Sequence, residues 1–368
     1  MAVGAAASLL MVVGLWQGGV LGALPGSLAR RPGPPPPPLR VTSVTPANGA
    51  ANLAGTAPVT VSFSAPVAAR SPMPHFSPAV AGHWRRSGRA TYTFTPTGAF
   101  LPDTMVTLDV PGGPTGVKAA DGARLAAPLR VFFSTGQGST LRLQQLLSDL
   151  GYSPLSFTPT RPAPAPTDTA AQTRAAFQPP PGTFAWIHTG WPSALTQQWQ
   201  AGAYGPMTKG MVMAFQADHK LQPNGQITAG LWQALFTAWA AHQVNTGGYN
   251  YAYVSKASPE TLTLWHDGHQ VMSTAANTGI ASRPTDDGTF PVYERLRSQV
   301  MTGTNPDGSS YADPVQYVAY FNGGDAVHYI DRSSFGYPQS LGCVELPLDQ
   351  AAQAWPYLTY GTLVTVAG

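Results

Sequence analysis

The chain carries one cysteine, Cys343, in the stretch YPQSLGCVELP, and a histidine fifteen residues before it, His328 in DAVHYI. A lone thiol cannot close an internal disulfide or hold a structural zinc by itself. Three roles remain: a small buried hydrophobe, an intermolecular bridge, or a nucleophile. A free thiol titrates at about 8.5 and is only a few per cent thiolate at neutral pH, so a nucleophile needs an imidazole nearby to take its proton or share an ion pair. Gly342 adds no side chain, which lets the backbone N–H groups around Cys343 approach a developing oxyanion. An inert buried cysteine beside a packed histidine has the same composition, and residue type alone leaves that alternative open.

The elements that must position this pair are legible as pattern. VQYVAYFNGGDAVHYI reads as strand, and QSLGC reads as a loop opening toward the helix pattern LDQAAQAWPYL. A strand histidine and a loop cysteine can meet across a mixed sheet. From about Asn250 onward YAYVS, TLTLWHDGHQVMSTAANTG and GTLVTVAG supply further strands, with Asp267-Gly268 as a hairpin tip. His266 and His269 flank that tip, and two ligands without a third make a poor metal site.

Further upstream the period changes. STLRLQQLLSDLGY places Leu143, Leu146, Leu147 and Leu150 on one helical face closed by Gly151, and YGPMTKGMVMAFQADHKLQPNGQITAGLWQALF adds two helices about the turn PNGQIT. A Pro-, Ala- and Thr-rich insertion of unassigned role, TPTRPAPAPTDTAAQ, separates the first helix from the others. Residues 39–136 alternate β-formers with Pro/Gly turns, as in an antiparallel sandwich. His75 and His83 there are expected in solvated loops.

The first 24 residues form an uncharged apolar run up to Leu24, followed by Arg30-Arg31 and PGPPPPP. This reads as a signal peptide or a membrane anchor joined to a proline-rich linker over 1–38. Only 10% of residues are charged and the net charge is +3 without a basic cluster, so a nucleic-acid footprint is excluded.

Four linked stretches, RPTDDGTFPVY, AVHYI, SLGCVELPLDQAAQAW and YGTLVTV, together resemble the L,D-transpeptidase (YkuD-like) catalytic domain over residues 245–368. VTPANGAANL with VTVSFSAPV resembles bacterial immunoglobulin-like modules. The Leu-rich helix, AFQ and the PNGQIT loop over 137–242 are similar to the peptidoglycan-binding helical module, which would bind wall polymer or merely brace the next domain. The resemblance implies a multidomain, mainly β chain: an immunoglobulin-like β-sandwich, a small three-helix module and a β-rich catalytic domain. It makes Cys343 the acylated nucleophile, His328 its base, Gly342 and the Cys343 backbone the oxyanion hole, and Ser340 a loop-ordering residue. Tyr320, Phe321, Tyr329 and Glu345 are expected near the substrate.

Three positions depart from the family pattern: Tyr329 follows the histidine where Gly is usual, Leu341 replaces a second histidine, and Glu345 replaces Arg. A carboxylate at 345 repels an acidic partner unless another cation compensates, or else it is a helix-start residue favoured by the dipole. The implied activity is extracytoplasmic. Cys343 would attack a peptidoglycan stem peptide, releasing D-alanine, and an amine of another stem would resolve the thioester, with no metal or cofactor. Water as acceptor would make the protein an L,D-carboxypeptidase, and a defunct catalytic domain would leave a wall-binding scaffold. Expected partners are the stem peptides and glycan, with carbapenem β-lactams as inhibitors.

Overall fold

The computed structural model describes residues 36–368, and the expected export segment lies outside the described residues. Among the described residues no helix is long and apolar enough to cross a membrane.

The N-terminal part contains β1 (Val41–Thr45), β2 (Ala50–Leu53), β3 (Val59–Phe63), β4 (His75–Ser77), β5 (Gly82–Arg86), β6 (Thr91–Pro96), β7 (Met105–Val110) and β8 (Leu129–Thr135). They form two four-stranded sheets, β1-β3-β6-β5 and β2-β8-β7-β4. Period-two alternation explains the packing. Val59, Val61 and Phe63 point into the core, while Thr60 and Ser62 bond the hydroxyls of Thr93 and Thr91 on the neighbouring strand. His75 and His83 lie on β4 and β5 instead of in loops. Both are short edge strands, and both histidines face solvent.

The next segment holds α1 (Thr140–Asp149), β9 (Leu155–Pro159), α2 (Thr169–Phe177), β10 (Gly182–Trp186), α3 (Ser193–Thr196), α4 (Pro206–Asp218) and α5 (Ala229–Ala240). All four leucines of the predicted face of α1 and its C-cap are fully buried, and Gly151 adopts φ +77° just beyond. α4 begins on Pro206, and Thr228 caps α5 by accepting from the Leu231 N–H at 3.2 Å.

The insertion connects the domains. Its β9 and β10 pair as an antiparallel ribbon, and Gln172 of α2 reaches the fully buried guanidinium of Arg142 on α1. Arg142 Nη2 donates to Gln172 Oε1 at 2.8 Å, and Nη1 donates to Gln145 Oε1 at 3.1 Å. Gln172 Nε2 in turn donates to the carbonyls of Pro164 and Ala165, fixing the proline-rich stretch. On its other side α2 meets the sandwich: Arg174 donates to the Thr97 carbonyl, and a side chain on Gly55 would strike the Phe177 ring.

The C-terminal part comprises β11 (Asn250–Ser255), β12 (Thr261–His266), β13 (His269–Ala275), β14 (Gly288–Pro291), β15 (Glu294–Thr304), β16 (Ser310–Asn322), β17 (Asp325–Tyr329), β18 (Val344–Leu346), α6 (Leu348–Ala354) and β19 (Leu363–Ala367). The sheets are β13-β12-β11-β19-β14 and β15-β16-β17-β18, with β11–β19 and β17–β18 parallel. The β12–β13 turn has positive φ at both Asp267 and Gly268, as a two-residue hairpin requires. A core of Val254, Leu262, Phe321, Val344 and Leu346 lies among these strands and α6. Tyr249, Tyr251 and Leu363 instead join the core of α1, α4 and α5, so the helices share their interior with the β11–β19 sheet.

Replacing Gln172 by Ala removes one of the two side-chain acceptors of a buried guanidinium. We expect a loss of about 2–3 kcal/mol of stability in denaturant unfolding of the full chain. A change under about 0.5 kcal/mol would mean that Arg142 is satisfied without the insertion.

Candidate active site

β17 and β18 place the two sequence-selected residues side by side. The strands run parallel with His328 in register with Glu345, and Cys343 immediately precedes β18. Cys343 and His328 line one cleft of about 880 Å³. Its outer wall is the long β15–β16 hairpin, which contributes Gln299, Tyr311 and Tyr320. The Tyr320 hydroxyl is bonded by Gln299.

The loop before the thiol is held from both sides. Ser340, buried, donates from Oγ to the Cys343 carbonyl at 2.6 Å and accepts from the Gly342 N–H at 3.2 Å. Thr285 Oγ1 donates to the Gly342 carbonyl at 2.7 Å and accepts from the Gly279 N–H at 2.9 Å. Gly342 has φ +124°, and a Cβ there would fall 2.3 Å from Asp325 Oδ1. Only glycine fits. The Gly342 N–H, expected as an oxyanion donor, is thus occupied by Ser340, whereas no acceptor for the Cys343 N–H occurs among the described residues.

The electrostatics favour a protonated resting thiol. Burial pushes Cys343 up to about 12, with the charges of Asp325 and Glu345 adding to it and the Ala326 N–H opposing. Burial also lowers the pKa of His328, which is 2% exposed and neutral at pH 7. Its Nδ1 lies 3.1 Å from the Tyr329 carbonyl, which can only accept, so Nδ1 carries the proton and Nε2 keeps a lone pair. No hydrogen bond joins the thiol to the imidazole among the described residues, and Sγ lies 3.8 Å from the Gly324 carbonyl.

Glu345 is not a helix-start carboxylate; it lines the same cleft, with its carboxylate already held. It sits on β18, 3% exposed, and Arg332 supplies the compensating cation through two contacts, Nη2–Oε1 at 2.6 Å and Nε–Oε2 at 2.9 Å. Asn277 Nδ2 adds a third at 3.2 Å. Phe321 and Tyr329, expected at the substrate, lie on the opposite face from Tyr320 and His328, away from the cleft of Cys343; both pack in the core or against it, and Phe321 also borders a second groove. Alternation forces this, because adjacent strand residues point to opposite sides. Thr285, Arg332, Asn277 and Asp325 were not singled out from sequence. Of these, Thr285 lies inside the stretch RPTDDGTFPVY, the one signal that pointed toward it.

Residues 249–366 match the family model of the L,D-transpeptidase catalytic domain, residues 36–135 that of a bacterial Ig-like domain, and residues 194–235 that of a peptidoglycan binding domain. The chain therefore carries these three domains in order, ending in an L,D-transpeptidase catalytic domain. No curated protein matches it. Among solved structures, an L,D-transpeptidase from Mycobacterium smegmatis is 16% identical, with 90% of this chain and 100% of that one covered and a TM-score of 0.31. L,D-transpeptidase 3 from Mycobacterium tuberculosis, in complex with a faropenem-derived adduct, is 16% identical over 89% of this chain and 98% of that one, TM-score 0.30. The catalytic domain from E. faecium L,D-transpeptidase is 26% identical over 32% and 96%, TM-score 0.30.

Arg332→Met strands a buried carboxylate and should cost about 3–5 kcal/mol in equilibrium unfolding, while Arg332→Met with Glu345→Met should recover most of it. Equal losses in the single and double variants would show that the pair is not what holds β18.

Proposed function

We propose that the protein is a peptidoglycan L,D-transpeptidase working outside the cytoplasm through a cysteine acyl-enzyme. The observation that carries this reading is that one cleft of the L,D-transpeptidase domain gathers the chain's only thiol and a neutral imidazole whose Nε2 is free to accept a proton. The thiol loses its proton to His328 as Sγ attacks the carbonyl of the third, diamino-acid residue of a stem peptide. The Cys343 N–H faces the developing oxyanion. The tetrahedral adduct collapses with cleavage of the C–N bond, His328 returns the proton to the leaving D-alanine amine, and a thioester remains. An amine of a second stem then displaces the thiol. A resting pKa of about 12 means that no thiolate stands ready, so the transfer to His328 belongs to the attack itself. The peptidoglycan binding domain supports the choice of wall polymer as substrate.

Mass spectrometry of disaccharide tetrapeptides incubated with the protein separates the outcomes: cross-linked dimer for a transpeptidase, tripeptide for a carboxypeptidase, unchanged substrate for a scaffold. A carbapenem should add its ring-opened mass once to the protein and not to Cys343→Ala. Unchanged intact mass after several carbapenems would count against the nucleophile.

His328→Gln should remain folded with a near-normal melting temperature and acylate about a hundredfold or more slowly at pH 7. Its rate should climb with pH without levelling through pH 9, because the thiol titrates far above that range. Wild-type acylation by folded His328→Gln would remove the histidine from the mechanism.

A further inference from the structure

Resting on the transpeptidase reading, we propose that Asp325 receives the ammonium group of the acceptor stem and takes its first proton, making the site selective for an amine over water. Asp325 opens β17 directly after the Gly323–Gly324 turn and lines the same cleft as Cys343 and His328. Its Oδ1 lies against Gly342, the residue before the nucleophile, so closely that no Cβ fits between them.

Some carboxylates of this region have cations, whereas Asp325, like Asp286 and Asp313, has none among the described residues. Glu345 is paired with Arg332, and Asp287 meets Lys256 Nζ at 2.7 Å. Among the described residues Asp325 makes no ion pair. The charge beside it is another carboxylate, Asp286, which is held by Asn322 Nδ2 at 3.1 Å. Two like charges beside an open cleft are relieved by a cation. An independent observation also points to a ligand here. His328 is 2% exposed, lines this cleft, and its Nε2 has no partner among the described residues.

The position suits the second substrate. Gly324 lines the large cleft, while Gly323 and Asn322 line another groove, of about 620 Å³, bordered by Asn224 of the helical domain and Tyr293 of the catalytic domain. Asp325 follows this turn, whose two glycines line one cavity each. A donor held as a thioester in the large cleft leaves this side for the acceptor.

The chemistry calls for a group of this kind. An amine arrives as an ammonium ion at neutral pH and is not nucleophilic until it loses a proton. Burial and the Asp286 charge raise Asp325 to about 6, which leaves it ionised at pH 7 and more basic than an ordinary carboxylate. The ammonium gives one proton to Asp325, and the freed lone pair forms the C–N bond to the thioester carbonyl. The C–S bond breaks with its electron pair going to Sγ, and the second nitrogen proton passes through His328 to that sulfur. The products are the cross-linked peptide, the free thiol and a protonated Asp325, which then returns its proton to solvent. Water brings no charge for Asp325 to hold.

Full-length wild type and Asp325→Asn are compared on disaccharide tetrapeptide, with dimer and tripeptide counted by mass spectrometry and carbapenem acylation measured in parallel. The variant should acylate at the wild-type rate or faster, because a negative charge beside the thiol is gone, and should keep forming tripeptide while dimer falls about tenfold or more. Asp325→Ser gives the same readout if the Asn variant fails to fold. An unchanged dimer-to-tripeptide ratio overturns the inference. So does joint loss of both products, which would put the carboxylate on the donor, and so does a wild type that yields tripeptide alone. Wild-type protein that takes up no carbapenem and forms no product would overturn the transpeptidase reading itself, and the inference with it.

Discussion

The site depends on a parallel pairing between β17 and a strand of only three residues, Val344–Leu346. Parallel neighbours cannot be joined by a tight turn, so the chain must leave His328, cross over through residues 330–343 and return beside it at Cys343. So short a strand has little pairing energy of its own. What holds it is polar and buried: Glu345 on β18 is clasped by Arg332 from the crossover and by Asn277 from the segment after β13. Asn277 also exchanges backbone hydrogen bonds with Glu345 and accepts from the Gly336 N–H at 3.0 Å. The crossover is therefore pinned near its start, middle and end by one network, and the cysteine is placed by the same contacts that hold the strand. Ion pairs of this kind gain little over hydrophobic packing in net energy, but removing one partner is costly, which makes the register specific.

The same surroundings favour a protonated Cys343. Carboxylates at 325 and 345 and burial all favour the thiol, while burial keeps His328 neutral. A preformed thiolate–imidazolium pair is thereby disfavoured. The Gly342 backbone fixes the loop before the thiol. Its positive φ, the Thr285 hydroxyl on its carbonyl and the Ser340 hydroxyl on its N–H leave the loop little freedom, so the Cys343 N–H is oriented in advance.

Much of this was readable from sequence where the signal is local. The four leucines of α1, the alternation of β3, the Asp267-Gly268 hairpin and the strand-then-loop order of His328 and Cys343 each depend on neighbours within a few positions. Contacts between distant segments were not legible. Nothing local links Arg332 to Glu345 across the crossover, or Thr285 to Gly342 over an even longer separation. Two expectations conflicted with a rule already available, because if Tyr320 and His328 face the cleft, their chain neighbours Phe321 and Tyr329 must face away. The insertion illustrates the opposite limit. Its proline-rich composition assigned it no role, yet Gln172 accepts from a buried arginine that the Leu-rich pattern of α1 gave no reason to notice.

The coupling of the helical and catalytic domains follows from backbone approach as well as side-chain packing. Gly210 on α4 and Gly361 before β19 lie back to back, each so close to the other's carbonyl that a Cβ on either would collide with it. That contact seats α4 on the sheet, and Tyr251 and Leu363 then complete the helical core from the catalytic side. A linker with two independent cores would let the helices swing, whereas a shared core makes separation expose buried aromatic and aliphatic surface. The groove bordered by Asn224 and Tyr293 is consequently a built feature with walls from both domains. Anything that occupies it touches both domains at once, next to the turn that leads into Asp325 and His328.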